Sequence, residues 1–250
     1  MVSKSIDEII SELKTIVDRC IKSESCVGYF AMLYLKVTKR VRDEIQKKSF
    51  TDCLRMEKLD VIFAQRFITA FNDWQASKAT SASWKIAFES AEKSQTIILQ
   101  HLLLGMNAHI NLDLGIAAAE TMHGNNIDEV REDFNTINSI LYSMITQVEN
   151  DMIKISPAIS ILNLHKKSYD EMLLQFSIQT ARDGAWKFAK ELSVKNGSSY
   201  QQAISLRDKK IHDLGFCIAN PGRWLRMSLK IIRILEWRSP SSNIKMMQGM

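Results

Sequence analysis

Apolar residues recur every three or four positions along nearly the whole chain, which is the spacing of amphipathic helices. In the first such segment, Ser5 and Glu8 have the spacing of a capping box and predict a helix that runs to about Lys22. Similar segments follow, separated by short polar stretches, and none shows the alternation of a strand. We therefore predict an all-α fold, a single multi-helix domain of about ten helices over residues 1–238. A disordered tail is predicted over residues 239–250.

One segment differs from the others because it is apolar almost all the way round. It runs from Ser94 to Met122, long enough for about eight turns of helix, and such a helix is normally buried. It nevertheless carries polar side chains: His101, Asn107, His109, Asn111 and Asp113. Polar groups on a buried helix must be paired or must bind something. We therefore predict that this buried central helix (residues 94–122) carries the functional site.

At about 100° per residue, the polar side chains of the central helix fall into two stripes. The first stripe contains His101, His109 and Asp113, and the second contains Gln100, Asn107 and Asn111. His109 and Asp113 are one turn apart on one face, close enough to bind one metal ion. His101 lies two turns away and would join them only through a second metal or a water.

A carboxylate on another helix extends the first stripe into a candidate metal site. Asp60 falls among the apolar residues of the third predicted helix. With His109, Asp113 and His101, it would form a mixed imidazole and carboxylate site that suits a divalent metal such as zinc, iron or manganese. A metal with an open position there would activate water or polarise a phosphoryl or carbonyl oxygen.

Two other interpretations of these residues stay open. In the first, His109 bonds to Asp113 in a purely structural network. In the second, His109 is a general base oriented by Asp113 without a metal. Arg182, on a later helix, is a candidate anion contact or half of a structural ion pair. The predicted catalytic residues are thus His109, Asp60 and Arg182.

Composition and charge fit a soluble protein. The hydrophobic share of 46% and the charged share of 24% are typical of globular domains, and a net charge of +5 is too small to indicate nucleic-acid binding. We see no signal peptide, and no apolar run free of strongly polar residues that could cross a membrane. The four cysteines show no CxxC spacing, so we expect free thiols and a cytoplasmic protein.

The last predicted helix, between Pro221 and Arg238, has a basic face. Its cations are spaced three or four residues apart: Arg223, Arg226, Lys230 and Arg233. This pattern is typical of a helix that lies on an anionic membrane, and equally of a terminal helix with a solvated basic face. The expected partners are a small-molecule or lipid-like ligand and weak membrane-surface contact through residues 221–238, with no nucleic acid.

Several segments together resemble a known family. LQHLLLGMNAHINLDLGIAAAE (residues 99–120) has the character of a family signature, and other segments fit in order: GYFAMLYLKVTKRVRD (28–43), FTDCLRMEKLDVIFAQRF (50–67) and ARDGAWKFA (181–189). They resemble the bacterial domain-of-unknown-function family 5995 over nearly the whole chain. The resemblance implies a single helical domain and no particular activity.

A shorter likeness concerns LGMNAHINLD, residues 104–113. It is similar to the helix of zinc-dependent phospholipase C and the related single-strand nucleases, an all-α fold in which a His and an Asp one turn apart bind zinc. His109 and Asp113 fall on those positions. The His expected further along is missing, with Ala119 in that region, and an N-terminal Trp ligand is absent. The likeness therefore implies at most a reduced site of one or two metals.

The sequence thus favours a metal-dependent enzyme, a hydrolase of phosphoester or other ester bonds. The first alternative is a non-catalytic helical protein that holds an apolar or lipid-like ligand between its helices. The second alternative is a peripheral membrane protein that uses its last helix.

Overall fold

The computed structural model describes residues 4–160 and 178–249, and all regular elements in these two ranges are helices. The α-helices are α1 (Ile6–Lys22), α2 (Val27–Gln46), α3 (Cys53–Gln75), α4 (Ala82–Ala91), α5 (Ile98–Ala108), α6 (Leu114–Thr121), α7 (Arg131–Ile155), α8 (Ile178–Ser193), α9 (Gly197–Ala219), α10 (Arg223–Leu235) and α11 (Pro240–Gln248). A π-helical turn (His109–Asp113) and two 3-10 helices (Ile127–Val130, Pro157–Ser160) lie between them. The predicted all-α fold in one domain is confirmed.

Local sequence sets where helices begin. The Ser5 hydroxyl accepts a hydrogen bond from the Glu8 backbone, and the Glu8 carboxylate accepts one from the Ser5 backbone. This is the predicted capping box, which satisfies two amide groups at the start of α1. Asp52 caps α3 in a similar way, since its carboxylate accepts a hydrogen bond from the Arg55 backbone.

The central helix forms as predicted, but as α5, the π-helical turn and α6 in succession. It begins at Ile98 rather than Ser94, because the Gln100 side chain accepts a hydrogen bond from the Ile97 backbone and caps the helix there. By length and hydropathy alone the stretch Ile98–Thr121 could cross a membrane, yet 89% of its most apolar window is buried inside the protein. It is therefore a core helix of the kind found in soluble domains.

The other helices surround this core helix. α2, α4 and α9 pack against α5, and α3 and α8 pack against α6. α1 packs against α2 and α3. Because the central helix has neighbours along its whole length, each of its polar side chains must find a partner or a cavity inside the protein.

Residues 239–249 are folded, which differs from the disordered tail predicted over residues 239–250. The Ser239 hydroxyl accepts a hydrogen bond from the Ser242 backbone and caps α11. Ile244 is fully buried, and the Asn243 amide donates to the Tyr29 hydroxyl at 3.2 Å. The polar run that suggested a frayed end is thus a helix cap, and the helix behind it docks through its apolar side.

Candidate functional site

A cavity of about 690 Å³, called here the main cavity, lies between α2, α3, the central helix, α7 and α8. Its walls are mostly Leu, Ile, Val, Met and Phe side chains. Protein interiors are normally close-packed, and voids of this size are uncommon except where a ligand binds. Glu149 and Ile153 belong to the lining and are exposed, so the main cavity reaches the surface near the C-terminal end of α7.

Four residues in this lining carry a buried polar atom without a hydrogen-bond partner. The atoms are the Tyr34 hydroxyl, Asp60 Oδ2, His109 Nε2 and Arg182 Nε. Among the residues that the structure describes, nine buried side-chain atoms lack a partner, so nearly half of them belong to this one lining. An unpartnered buried polar atom costs about 1–3 kcal/mol. The four residues that carry them line one apolar space, which is the arrangement expected of a binding site for a molecule with a few polar atoms.

His109 begins the π-helical turn and is held by aromatic rings. Its ring stacks on Phe63 with centroids 3.6 Å apart, and Tyr34 approaches it edge-on with centroids 4.4 Å apart. Its Nδ1 lies 3.2 Å from Oδ2 of Asp113. Burial lowers the pKa of His109 although Asp113 opposes the shift, so the ring is neutral at neutral pH.

Asp113 decides which nitrogen of His109 carries the proton. Arg66 Nε donates to its Oδ1 at 2.8 Å, and Trp84 Nε1 donates to its Oδ2 at 2.8 Å. Burial alone would raise the pKa of this carboxyl, but the hydrogen bonds and the Arg66 charge hold it below its ordinary value. An ionised carboxylate only accepts hydrogen bonds, so the proton of His109 lies on Nδ1. The Nε2 atom of His109, a residue that lines the main cavity, is therefore a free acceptor.

Asp60 and Tyr34 contribute two further polar groups, which differ in their protonation near neutral pH. Burial raises the pKa of Asp60 to about 7, and the charge of Glu57 adds to this shift. Burial also raises the pKa of Tyr34 well above its ordinary value. The Thr38 hydroxyl donates to the Tyr34 backbone carbonyl at 3.0 Å rather than to the phenol. Near neutral pH, Asp60 is thus part protonated and part ionised, while Tyr34 keeps its O–H.

Arg182 adds a buried cation. Its Nη2 donates to the Phe134 carbonyl at 2.6 Å, and its guanidinium lies 4.5 Å from the centroid of the Phe134 ring. Burial lowers the pKa of Arg182 to about 10, so it stays charged at neutral pH. No described carboxylate forms an ion pair with it, and neighbouring Asp183 accepts a hydrogen bond from Gln179 instead. Its predicted role as an anion contact stays a prediction.

The residues predicted as metal ligands do not form a metal-binding group. His109 and Asp60 line the same cavity, but both oxygens of Asp113 already accept hydrogen bonds from other side chains. In the two described ranges, no three His, Cys, Asp or Glu side chains are placed to hold one ion. The predicted metal site therefore stays a prediction without support from this geometry.

His101 lies apart from the others. It stacks on Tyr29 with ring centroids 5.9 Å apart, and it does not line the main cavity. Burial lowers its pKa to about 3. Between His101 and His109, the Phe30 ring fills the space beside Gly105 and leaves no room for a Cβ atom there. The Phe30 ring thus separates His101 from the other two residues of the first stripe, His109 and Asp113.

Sequence reasoning missed Arg66 and Trp84, the two partners of Asp113 from other helices. Contacts between separate helices leave no spacing pattern in the sequence. The one available signal is the indole N–H of Trp84, because a buried tryptophan usually needs a hydrogen-bond acceptor.

A second cavity of about 560 Å³ lies on the other side of Asp113. Arg66, Trp84 and Asp113 line it together with polar residues of α3 and of the loop before α4. The hydrogen-bonded pair of His109 and Asp113 thus lies between the two cavities. In this second cavity Asp113 is already paired, whereas the main cavity offers unpartnered atoms, so the main cavity is the stronger candidate site.

Comparison with known proteins identifies a family for this chain but no activity. No curated protein and no solved structure matches the chain. The likeness to zinc-dependent phospholipase C and the single-strand nucleases is thus without support. Residues 6–221 match the family model described as "Family of unknown function (DUF5995)". This match confirms the resemblance seen in the signature segments, and the chain belongs to this family.

Proposed function

We propose that this protein binds a small, mostly apolar molecule with one acidic or hydrogen-bonding group in the main cavity. The observation that carries the proposal is the set of four unpartnered polar atoms, on Tyr34, Asp60, His109 and Arg182, around an apolar space of about 690 Å³. Small-molecule sites commonly combine such an apolar wall with a few polar groups that fix orientation.

Each of the four atoms has a defined preference for its partner. Arg182 Nε and the Tyr34 hydroxyl would donate to oxygens of the ligand. His109 Nε2 would accept from a ligand O–H, and Asp60 would accept or donate according to its protonation. A hydrogen bond between the Arg182 cation and an anionic group is about twice as strong as a neutral one. A carboxylate on an apolar body is therefore the ligand class that fits best.

A binding role is favoured over the metal-dependent hydrolase predicted from sequence. The hydrolase needs a metal site, and no three of its expected ligands are placed to hold one ion. Both oxygens of Asp113 already accept hydrogen bonds, and His101 lies outside the main cavity. The binding role needs only the cavity and the polar atoms already described. The four free cysteines suit a reducing compartment, so we place the proposed role in the cytoplasm.

The test is displacement of a fluorescent apolar sulfonate probe by dodecanoic acid, in the wild-type protein and in Met106→Trp. Met106 is half-buried and lines the main cavity, so a larger side chain there should fill the space. Leu206→Trp on the exposed side of α9 is the matched control. We expect saturable binding with one site in the wild type and the control, and about tenfold weaker binding in Met106→Trp.

Two results would contradict the proposal. The first is the absence of saturable binding for the acid, for its alcohol and for the probe. The second is unchanged affinity in a Met106→Trp protein whose circular dichroism and melting temperature show that it is folded.

A further inference from the structure

The outward face of α10 is unusually apolar for a protein surface. Its exposed large side chains, with their exposed fractions, include Met227 (63%), Ile231 (52%), Ile234 (77%), Leu235 (48%) and, just beyond the helix, Trp237 (80%). Residues 227, 231 and 234 are spaced by four and three, so they form one stripe along the helix. Exposed apolar patches of this kind mark interaction sites.

The same helix has a second apolar face that is already buried. Leu225, Leu229 and Ile232 are buried and dock α10 on the core. The exposed stripe is therefore not needed for folding of the helix onto the domain. A helix that is apolar on both faces and remains solvent-facing on one of them indicates a further partner.

Cations border the exposed stripe. Arg223, Arg226 and Lys230 are exposed, spaced by three and four residues, and no described carboxylate pairs with them. Arg233, which the sequence placed on the same basic face, is engaged elsewhere, since its guanidinium donates to the carbonyls of Ser94 and Glu236. The free positive charge is thus concentrated at the N-terminal half of α10, beside the apolar stripe.

We propose that α10 lies flat on an anionic membrane surface. Met227, Ile231, Ile234 and Trp237 enter the boundary between headgroups and acyl chains, and the three cations at positions 223, 226 and 230 contact lipid phosphates. Charge complementarity selects this occupant, because basic amphipathic helices bind anionic lipids. A symmetric contact with a second copy of this chain would bring like charges together across the interface. An exposed tryptophan at the edge of the stripe also suits the membrane interface, where aromatic side chains concentrate.

Residues beside the proposed membrane face contact the end of α7, which also lines the main cavity. Trp237 and Leu235 line a small cavity of about 410 Å³ together with Ile155 at the end of α7. Two residues earlier, Ile153 is exposed and lines the main cavity. The C-terminal end of α7 thus contributes to both cavities. The membrane proposal stands independently of ligand binding, and its test uses no ligand.

Flotation of the full-length protein with vesicles tests the proposal. One vesicle is phosphatidylcholine alone, and the other contains about 30 mol% phosphatidylserine. The stripe variant is M227S/I231S/I234S. Its matched control is L206S/F216S, which removes two exposed apolar side chains from α9. We expect the wild type and the control to float with the anionic vesicles at least about tenfold more than with the neutral ones. The stripe variant should lose this binding, and added salt should weaken it in the wild type.

Three outcomes would overturn the proposal. They are failure of the wild type to float with anionic vesicles, equal flotation with neutral vesicles, and unchanged flotation of the stripe variant. Light scattering tests the alternative that α10 contacts a second copy of this chain. That alternative predicts a dimeric wild type, a monomeric stripe variant, and no vesicle binding by either protein. Trp237→Ser, a single exposed change outside the helix, repeats the test if the triple variant is unstable.

Discussion

The carboxyl group of Asp60 lies in the wall of the main cavity, where burial raises its pKa from 3.8 to about 7. A carboxyl whose pKa is raised on folding binds more protons in the folded state than in the unfolded state between these two values. The free energy of unfolding therefore falls as the pH rises from about 4 to about 7 through this group, and is constant outside that window.

Replacement of Asp60 by Asn removes this titration. We compare the free energy of unfolding of Asp60→Asn with that of the wild type. The value for the variant minus the value for the wild type should rise by roughly 2–4 kcal/mol between about pH 4.5 and pH 8. Urea unfolding at several pH values measures it. Ser11→Ala, an exposed change on α1 that removes no titrating group, is the control and should give a flat difference. A flat difference for Asp60→Asn as well would mean that the buried carboxyl does not titrate near neutrality.

Arg182 carries the expected selectivity for an acidic ligand. Arg182→Met should weaken binding of dodecanoic acid by about ten- to a hundredfold, since a charge-assisted hydrogen bond is lost, and should change binding of dodecanol little. Isothermal titration calorimetry with both ligands measures the two effects. The control is Arg207→Met, a half-buried arginine that donates to the Asn111 carbonyl and does not line the main cavity. Equal losses for the acid and the alcohol would contradict the anion contact.

Some features of the central helix can be predicted from the sequence pattern, and others cannot. Its existence, its burial and the pairing of His109 with Asp113 follow from hydropathy and from a spacing of four residues. The π-helical turn does not follow, because no residue spacing in this segment distinguishes it from an ordinary helix. The hydrogen bonds of Arg66 and Trp84 to Asp113 do not follow either, because they join separate helices. π-Helical turns are frequent at functional sites, so its position at the wall of the main cavity agrees with the proposed role.

The last helix, α11, shows the opposite case. Its polar run from Ser239 to Ser242 has the composition of a frayed end, and only the docking of Ile244 identifies it as a helix. Composition alone cannot distinguish a cap from a disordered segment, since both favour serine and proline.

Ile244→Ala should therefore behave as a core substitution. We expect a loss of about 2–5 kcal/mol in the free energy of unfolding, because the buried side chain leaves a void. Urea unfolding measures it, with Lys245→Ala on the exposed side of α11 as the control. A loss of less than about 0.5 kcal/mol would mean that the helix is detached in solution.

In the part of the chain that the structure describes, the helices surround a large apolar cavity and present a basic, apolar face on α10. The all-α fold and the family could be predicted from sequence, because helical periodicity and the signature segments are local properties. The cavity could not, since its walls come from five separate elements and its polar atoms are recognised only by their missing partners. His109, Asp60 and Arg182 were predicted as site residues, and they do line the main cavity, whereas the metal that would have joined them has no support here.

A crystal structure of the protein grown with dodecanoic acid would show directly whether the main cavity binds an apolar acid. We expect the alkyl chain inside the main cavity and the carboxyl group within hydrogen-bond distance of Arg182 Nε, with a further contact to Tyr34, Asp60 or His109. An empty main cavity at a saturating concentration of the acid, or an acid bound elsewhere with these four atoms still unpartnered, would contradict it.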